Sequence, residues 1–222
     1  MRTRRFRGRF LALLAGLMIA CGGAAAQVVP PGEPGIAGSA PSVIVTASAA
    51  AALPVEERPW HLSARNVERR DLLVKISEVQ GLSLLVSRDV RGTVDEVATG
   101  TLGQTLDAAL HPSGYDWRIW DGCLYVAERS RLERFFDAVA RMDQLKLPAA
   151  RTFGGIFGAL DIPSIIRVLR KHAGTNILMT DTISGEMSLR LTGIPWERVL
   201  LAAVYMNGLK LVVSDFSIMV VP

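Results

Sequence analysis

The chain has 222 residues, half of them hydrophobic and 21% charged, with a formal charge of +4. Five of its 25 Lys and Arg residues (Arg2, Arg4, Arg5, Arg7 and Arg9) crowd the first nine positions; without them 20 bases face 21 acids. The positive charge belongs to the leader, so the basic balance is no sign of a nucleic-acid partner, and none is expected.

That arginine-rich start precedes an apolar core from Phe10 to Ala20 and then small residues, the three parts of a secretory signal over 1–26. The core is shorter than the roughly 20 apolar residues needed to span a bilayer. Two exits are open. Cleavage after Ala24-Ala25-Ala26 releases a soluble chain beginning at Gln27, whereas Met18-Ile19-Ala20-Cys21 resembles a lipobox that would acylate Cys21. Either places the mature chain in the periplasm. The second associates it with the outer membrane, through the lipid anchor alone. Cys123 is then the lone cysteine, expected to be a packed, inert thiol. Residues 27–57 are rich in Ala, Pro and Gly, which predicts a disordered tether with one short strand at Val43-Ile44-Val45.

The remainder repeats itself. Gly81, Gly92 and Gly100 recur 93 positions later as Gly174, Gly185 and Gly193, and Leu72, Leu73 and Ile76 recur as Ile165, Ile166 and Leu169. Past a one-residue insertion, Gly114-Tyr115 aligns with Gly208-Leu209 and Tyr125-Val126 with Met219-Val220. The predicted fold is α+β: two tandem small βαββαββ modules, 58–128 and 149–222, joined by an amphipathic helix over 129–148.

In the first copy Asn66 is expected to cap a helix over 68–80, followed by a strand at 82–86. The acidic pair Asp95-Glu96 predicts a short or frayed third strand. Thr101 caps a helix carrying Leu102, Leu106 and Leu110, and Asp121-Gly122 is a tight-turn dipeptide between strands 115–120 and 123–127. Between the copies, Leu132, Phe135, Phe136, Val139 and Met142 recur at helical spacing until Pro148. In the second copy Asp161 caps a helix with Pro163 in its first turn and Gly174 at its end. Met187, Leu189 and Leu191 alternate with polar residues, as in a half-buried strand. Pro195 opens a helix with Trp196 inward, and 209–213 and 218–221 form a hairpin. Gly81, Gly92, Gly174, Gly185, Gly193, Pro195 and Trp196 are thus read as structural.

Asp161-Ile162-Pro163-Ser164-Ile165-Ile166-Arg167-Val168-Leu169, and above all the run from Gly185 through Gly193-Ile194-Pro195-Trp196 to Leu200, resemble the short N-terminal domain shared by secretins and TonB-dependent transducers. The likeness covers about 151–222 and is nearest to the secretins of type IV pili; the first copy matches by pattern alone. It implies a compact fold of two helices against small sheets. It implies no catalysis and no cofactor, but docking onto a protein partner of a pilus or secretion machine in the cell envelope, either a secretin or an inner-membrane assembly component. Assembly of like chains is a further option. The alternative is a periplasmic signalling or scaffold role, as in the transducers. Since the second module finishes at Pro222 with no segment for an outer-membrane barrel, an accessory protein or a truncated secretin product is expected.

Residue chemistry agrees with that expectation. His61, His111 and His172 have no metal-ligand spacing, and no nucleophile motif occurs. Gly154-Gly155 and Gly158 lack the lysine of a phosphate loop. Docking has a physical route through exposed strand edges. Two are expected: the hairpin strand with Trp117, Arg118 and Trp120, whose rings either anchor a partner beside an arginine, as at interface centres, or complete the core, and the final strand with Ser217, Met219 and Val221.

Overall fold

The computed structural model describes residues 41–47, 53–145, 147, 151–214 and 217–222. The leader, Cys21 and most of the tether lie outside them. The first half begins with β1 (Ser42–Ala47), which extends the short strand expected in the tether. It continues through β2 (Pro59–Glu68), α1 (Arg69–Gln80), β3 (Ser83–Val86), β4 (Thr93–Thr101), α2 (Leu102–Leu110), β5 (Tyr115–Trp120) and β6 (Cys123–Glu128). After α3 (Arg129–Ala140) come β7 (Thr152–Asp161), α4 (Ile162–Ala173), β8 (Ile177–Met179), β9 (Glu186–Pro195), α5 (Trp196–Tyr205), β10 (Lys210–Val213) and β11 (Ile218–Val221).

Local signals account for the boundaries. The Thr101 hydroxyl accepts from the Gln104 N–H while the Gln104 side chain accepts from the Thr101 N–H, so α2 opens on a capping box. Asp161 accepts from the Ser164 N–H at 2.8 Å and opens α4. Gly81 and Gly174 end α1 and α4 at φ +65°, where a side chain would be strained. Asp121 and Gly122, both at positive φ, make the tight turn between β5 and β6.

Three expectations are corrected. Asn66 caps nothing: β2 continues to Glu68, and Asn66 sits at φ +48° in a bulge between Ala64 and Val67, because continuing the ladder to Val67–Val94 outweighs a cap. β4 runs nine residues despite Asp95-Glu96, since Asp95 points to solvent and half-buried Glu96 lies at an open edge. The connecting helix ends at Ala140 and tightens into a 3-10 turn, Met142–Leu145; Pro148 lies outside the described residues.

The repeat extends to strand register. β2 pairs antiparallel with β4 as β7 does with β9, β3 runs parallel to β6 as β8 does to β11, and β5–β6 is a hairpin as β10–β11 is. Even the bulge recurs, between Phe157 and Ala159 of β7.

The halves share a sheet. β3 pairs antiparallel with β9, with Leu84, Leu85 and Val86 opposite Arg190, Leu189 and Ser188, giving a five-stranded sheet of order β5-β6-β3-β9-β7. Because alternate side chains leave opposite faces, this sheet divides two cores. Leu84, Val86, Leu124 and Val126 point into one core with α1 and α2, which the sheet β1-β2-β4 closes on its far side. Leu85, Tyr125, Met187 and Leu189 point into the other with α3, α4 and α5, which the sheet β10-β11-β8 closes through Ile177, Ile218 and Val220. Trp196 is fully buried in this second core.

Buried polar groups pin the join. The Ser83 hydroxyl accepts from the Thr192 N–H at 2.9 Å. The Ser87 hydroxyl donates to the Met206 carbonyl at 2.9 Å, and the Arg88 N–H donates to the Asn207 side chain at 3.0 Å. All three side chains are buried, so each bond is worth more than a surface one.

Candidate protein interaction surface

β5, carrying Trp117, Arg118 and Trp120, is the outer strand of the five-stranded sheet, with one edge of backbone groups unpaired by any strand among the described residues. Its aromatic rings serve the sheet. Trp117 faces α2, its indole N–H donating to Asp107 at 2.8 Å. Trp120, on the opposite face, meets Phe136 edge-on with ring centroids 5.9 Å apart. The Arg198 guanidinium stacks 4.2 Å from the Trp120 ring and also pairs with Asp121, tying the hairpin to α5. Arg118 is exposed and covers the Phe136 ring at 4.2 Å. What this hairpin leaves to a partner is its backbone edge and Arg118.

The final strand is not an edge. β11 lies between β10 and β8, so both rows of its backbone groups are engaged. Ser217 is tied to Ser214 in the turn, Val221 is half-buried, and only Met219 projects outward. The expected contact edge there is corrected: among the described residues the open edges of that sheet are β10 and β8. Sequence alone assigns the last strand to a hairpin, but cannot see β8 closing its other side.

A different edge is the more accessible. β7 ends the five-stranded sheet opposite β5, and its Ile156 is 78% exposed, the most exposed large hydrophobic side chain described. Beside Ile156 a groove of about 250 Å³ runs between β7 and α1, with Val74, Glu78, Ser188 and Arg190 among its lining. Glu78 and Arg190 face each other across it at 3.8 Å. β7 is the counterpart of β2, and β2's outer edge is already filled: β1 pairs along it, Val43 opposite Ala64 and Val45 opposite Leu62. The protein thus contains an example of a strand added to this edge. Nothing in the glycines beside Ile156 marks this edge; the signal is position, 93 residues beyond a strand that takes β1.

Elsewhere, reactive groups do not converge. No group of three or more His, Cys, Asp or Glu could hold a metal among the described residues. His61 contacts Thr99 at 2.9 Å, and His111 lies 3.2 Å from Asp116. Partial burial opposes ionisation of Asp116, but the Trp117 N–H, His111 and Arg129 outweigh it and hold its carboxyl below the usual range. Burial pushes the Cys123 thiol up to about 12, so it stays protonated. Among the described residues no helix is long and apolar enough to cross a membrane.

No family model matches the chain. A 57-residue stretch is 37% identical to the type IV pilus biogenesis and competence protein PilQ of Neisseria gonorrhoeae, covering 23% of this chain and 8% of that protein. The PilQ of Neisseria meningitidis serogroup B, strain MC58, is 35% identical over 57 residues, 23% of this chain and 7% of that one. The chain thus matches less than a tenth of the length of these relatives.

Proposed function

We propose that this protein is a non-catalytic docking component of the type IV pilus secretin machinery, working in the periplasm. The partial identity with PilQ carries the reading, and the α+β architecture with open strand edges supports a role in protein contact. The β7 edge takes an extended segment of the partner, as β2 takes β1. Backbone hydrogen bonds supply attachment, and the groove beside Ile156 receives alternate side chains of the incoming strand. A secretin or an inner-membrane assembly component is the partner expected.

Affinity purification of the tagged protein from crosslinked cells tests this. It is expected to recover the secretin or an inner-membrane pilus component, and Ile156→Arg is expected to abolish recovery without lowering the melting temperature, because Ile156 buries little. Recovery of neither partner would refute the pilus assignment. Recovery undiminished in the variant would refute the β7 edge.

A further inference from the structure

The join between the halves uses two strand edges, and the repeat supplies both again. β3 meets β9; the counterpart of β3 is β8, and the counterpart of β9 is β4. Neither β8 nor β4 has a strand on its corresponding edge among the described residues. β1 sits on the far side of β2 and leaves β4 open. Shifting the register of the join by the 93-residue repeat places Ile177 opposite Val97, Leu178 opposite Glu96 and Met179 opposite Asp95. Two of these side chains are apolar and presented to solvent: Val97 is 63% exposed and Leu178 41%.

Charge decides what β4 accepts. Asp95 and Glu96 at an open edge oppose pairing with an apolar strand that brings no counter-charge. β8 brings one. Arg167, Arg170 and Lys171 of α4 are exposed and lie with Asn176 around one hollow beside the start of β8. The internal join sets an acid on the helix (Glu78) against a base on the strand (Arg190); their counterparts are Lys171 and apolar Val97, and an acid of β4 lies two residues before Val97, at Asp95. By the repeat, Lys171 stands where Glu78 stands, and Arg167 where Val74 stands. Val74 lines the groove together with Ser188, the counterpart of Asp95, which sets Arg167 toward Asp95.

We infer that β8 of one molecule adds to β4 of the next, repeating between chains the pairing that β3 and β9 make within one. The contact is heterologous: each molecule offers a different edge at either end, so copies associate head to tail and the free edges at the two ends can go on adding further copies. The paired stretch is short, which makes the contact weak, and its charged contacts make it salt-dependent. The joint is independent of which envelope machine the protein serves.

Sedimentation velocity of the purified protein over a concentration series, at low and high salt, reads this directly. Expected are species larger than the monomer that recede with salt. Asp95→Arg and Arg167→Asp should each weaken association about tenfold, and the two together in one chain should restore most of it. Register is read by disulfide trapping: a mixture of Glu96→Cys and Leu178→Cys chains should give the mixed dimer on oxidation, and neither variant alone should crosslink. Circular dichroism confirms that these surface variants fold. A monomer at every concentration, indifference to both charge reversals, or a Glu96→Cys chain that crosslinks to itself would each overturn the inference.

Discussion

If the two halves are one cooperative body, a lesion at their join must loosen both. Asn207 is the place to cut. It is fully buried at the end of α5; its carbonyl oxygen accepts from the Arg88 N–H at 3.0 Å, and its amide donates to the Ala203 carbonyl at 3.0 Å. Asn207→Ala leaves one donor in the first half and one acceptor in the second without partners. At about 1–3 kcal/mol for each buried group left unsatisfied, the loss is about 3 kcal/mol. For a body of this size that corresponds to a fall in Tm of roughly 6–12 °C. Urea unfolding gives the magnitude, and hydrogen exchange read by mass spectrometry gives its distribution. The slowest amides of β2, β3 and β4 should accelerate by the same factor as those of β9 and α5, since both cores flank one sheet. Acceleration confined to the second half, with the first half unchanged, would refute the shared-sheet argument.

Thr101→Ala removes one side of the α2 capping box and should cost about 1 kcal/mol in thermal unfolding; a null result would mean Gln104 sustains the helix start alone. Hydrogen bonds from the Ser164 side chain and N–H hold the Asp161 carboxyl below its ordinary range. With the folded value below the unfolded one, this contribution is complete above the unfolded value near about pH 4 and lost as pH falls through the folded value. Asp161→Asn should therefore flatten the acid limb of the stability profile while leaving the neutral-to-alkaline slope unchanged, which acid titration followed by circular dichroism measures. Cys123 should resist a thiol reagent at neutral pH until the protein unfolds, its labelling rate tracking global unfolding, because burial both shields the thiol and keeps it protonated. Rapid labelling of the native protein would show the β6 face to be open.

Elements governed by neighbours in sequence were legible. Thr101 and Asp161 cap where a hydroxyl or carboxylate precedes an apolar period, Gly81 and Gly174 end helices by adopting positive φ, and Asp121-Gly122 turns a hairpin. Asn66 misled because a bulge uses the same residue type as a cap, and which one forms depends on whether β4 holds β2 beyond it. The candidate surface was less legible. Alternation alone lets Trp117 and Trp120 serve a partner or the core, and the contacts with α2, Phe136 and Arg198 decide for the core. Ile156, set between glycines, carries no local mark of the open edge on which it lies.

From the amino-acid order alone come the two-fold repeat, the strand and helix sequence of each copy, and the amphipathic character of α3. All follow from spacing of apolar side chains and from glycine's backbone freedom, properties read within a few turns of chain. Only the folded molecule decides that β3 joins β9, that β11 is enclosed while β8 and β4 stay open, and that the halves share a sheet. Backbone donors and acceptors are the same in every strand, so nothing local marks which edge will be used. That choice is made by the side chains massed above and below, Leu85 with Leu189 on one face and the Ser87–Asn207 network at its end, which meet only after more than a hundred intervening residues have folded.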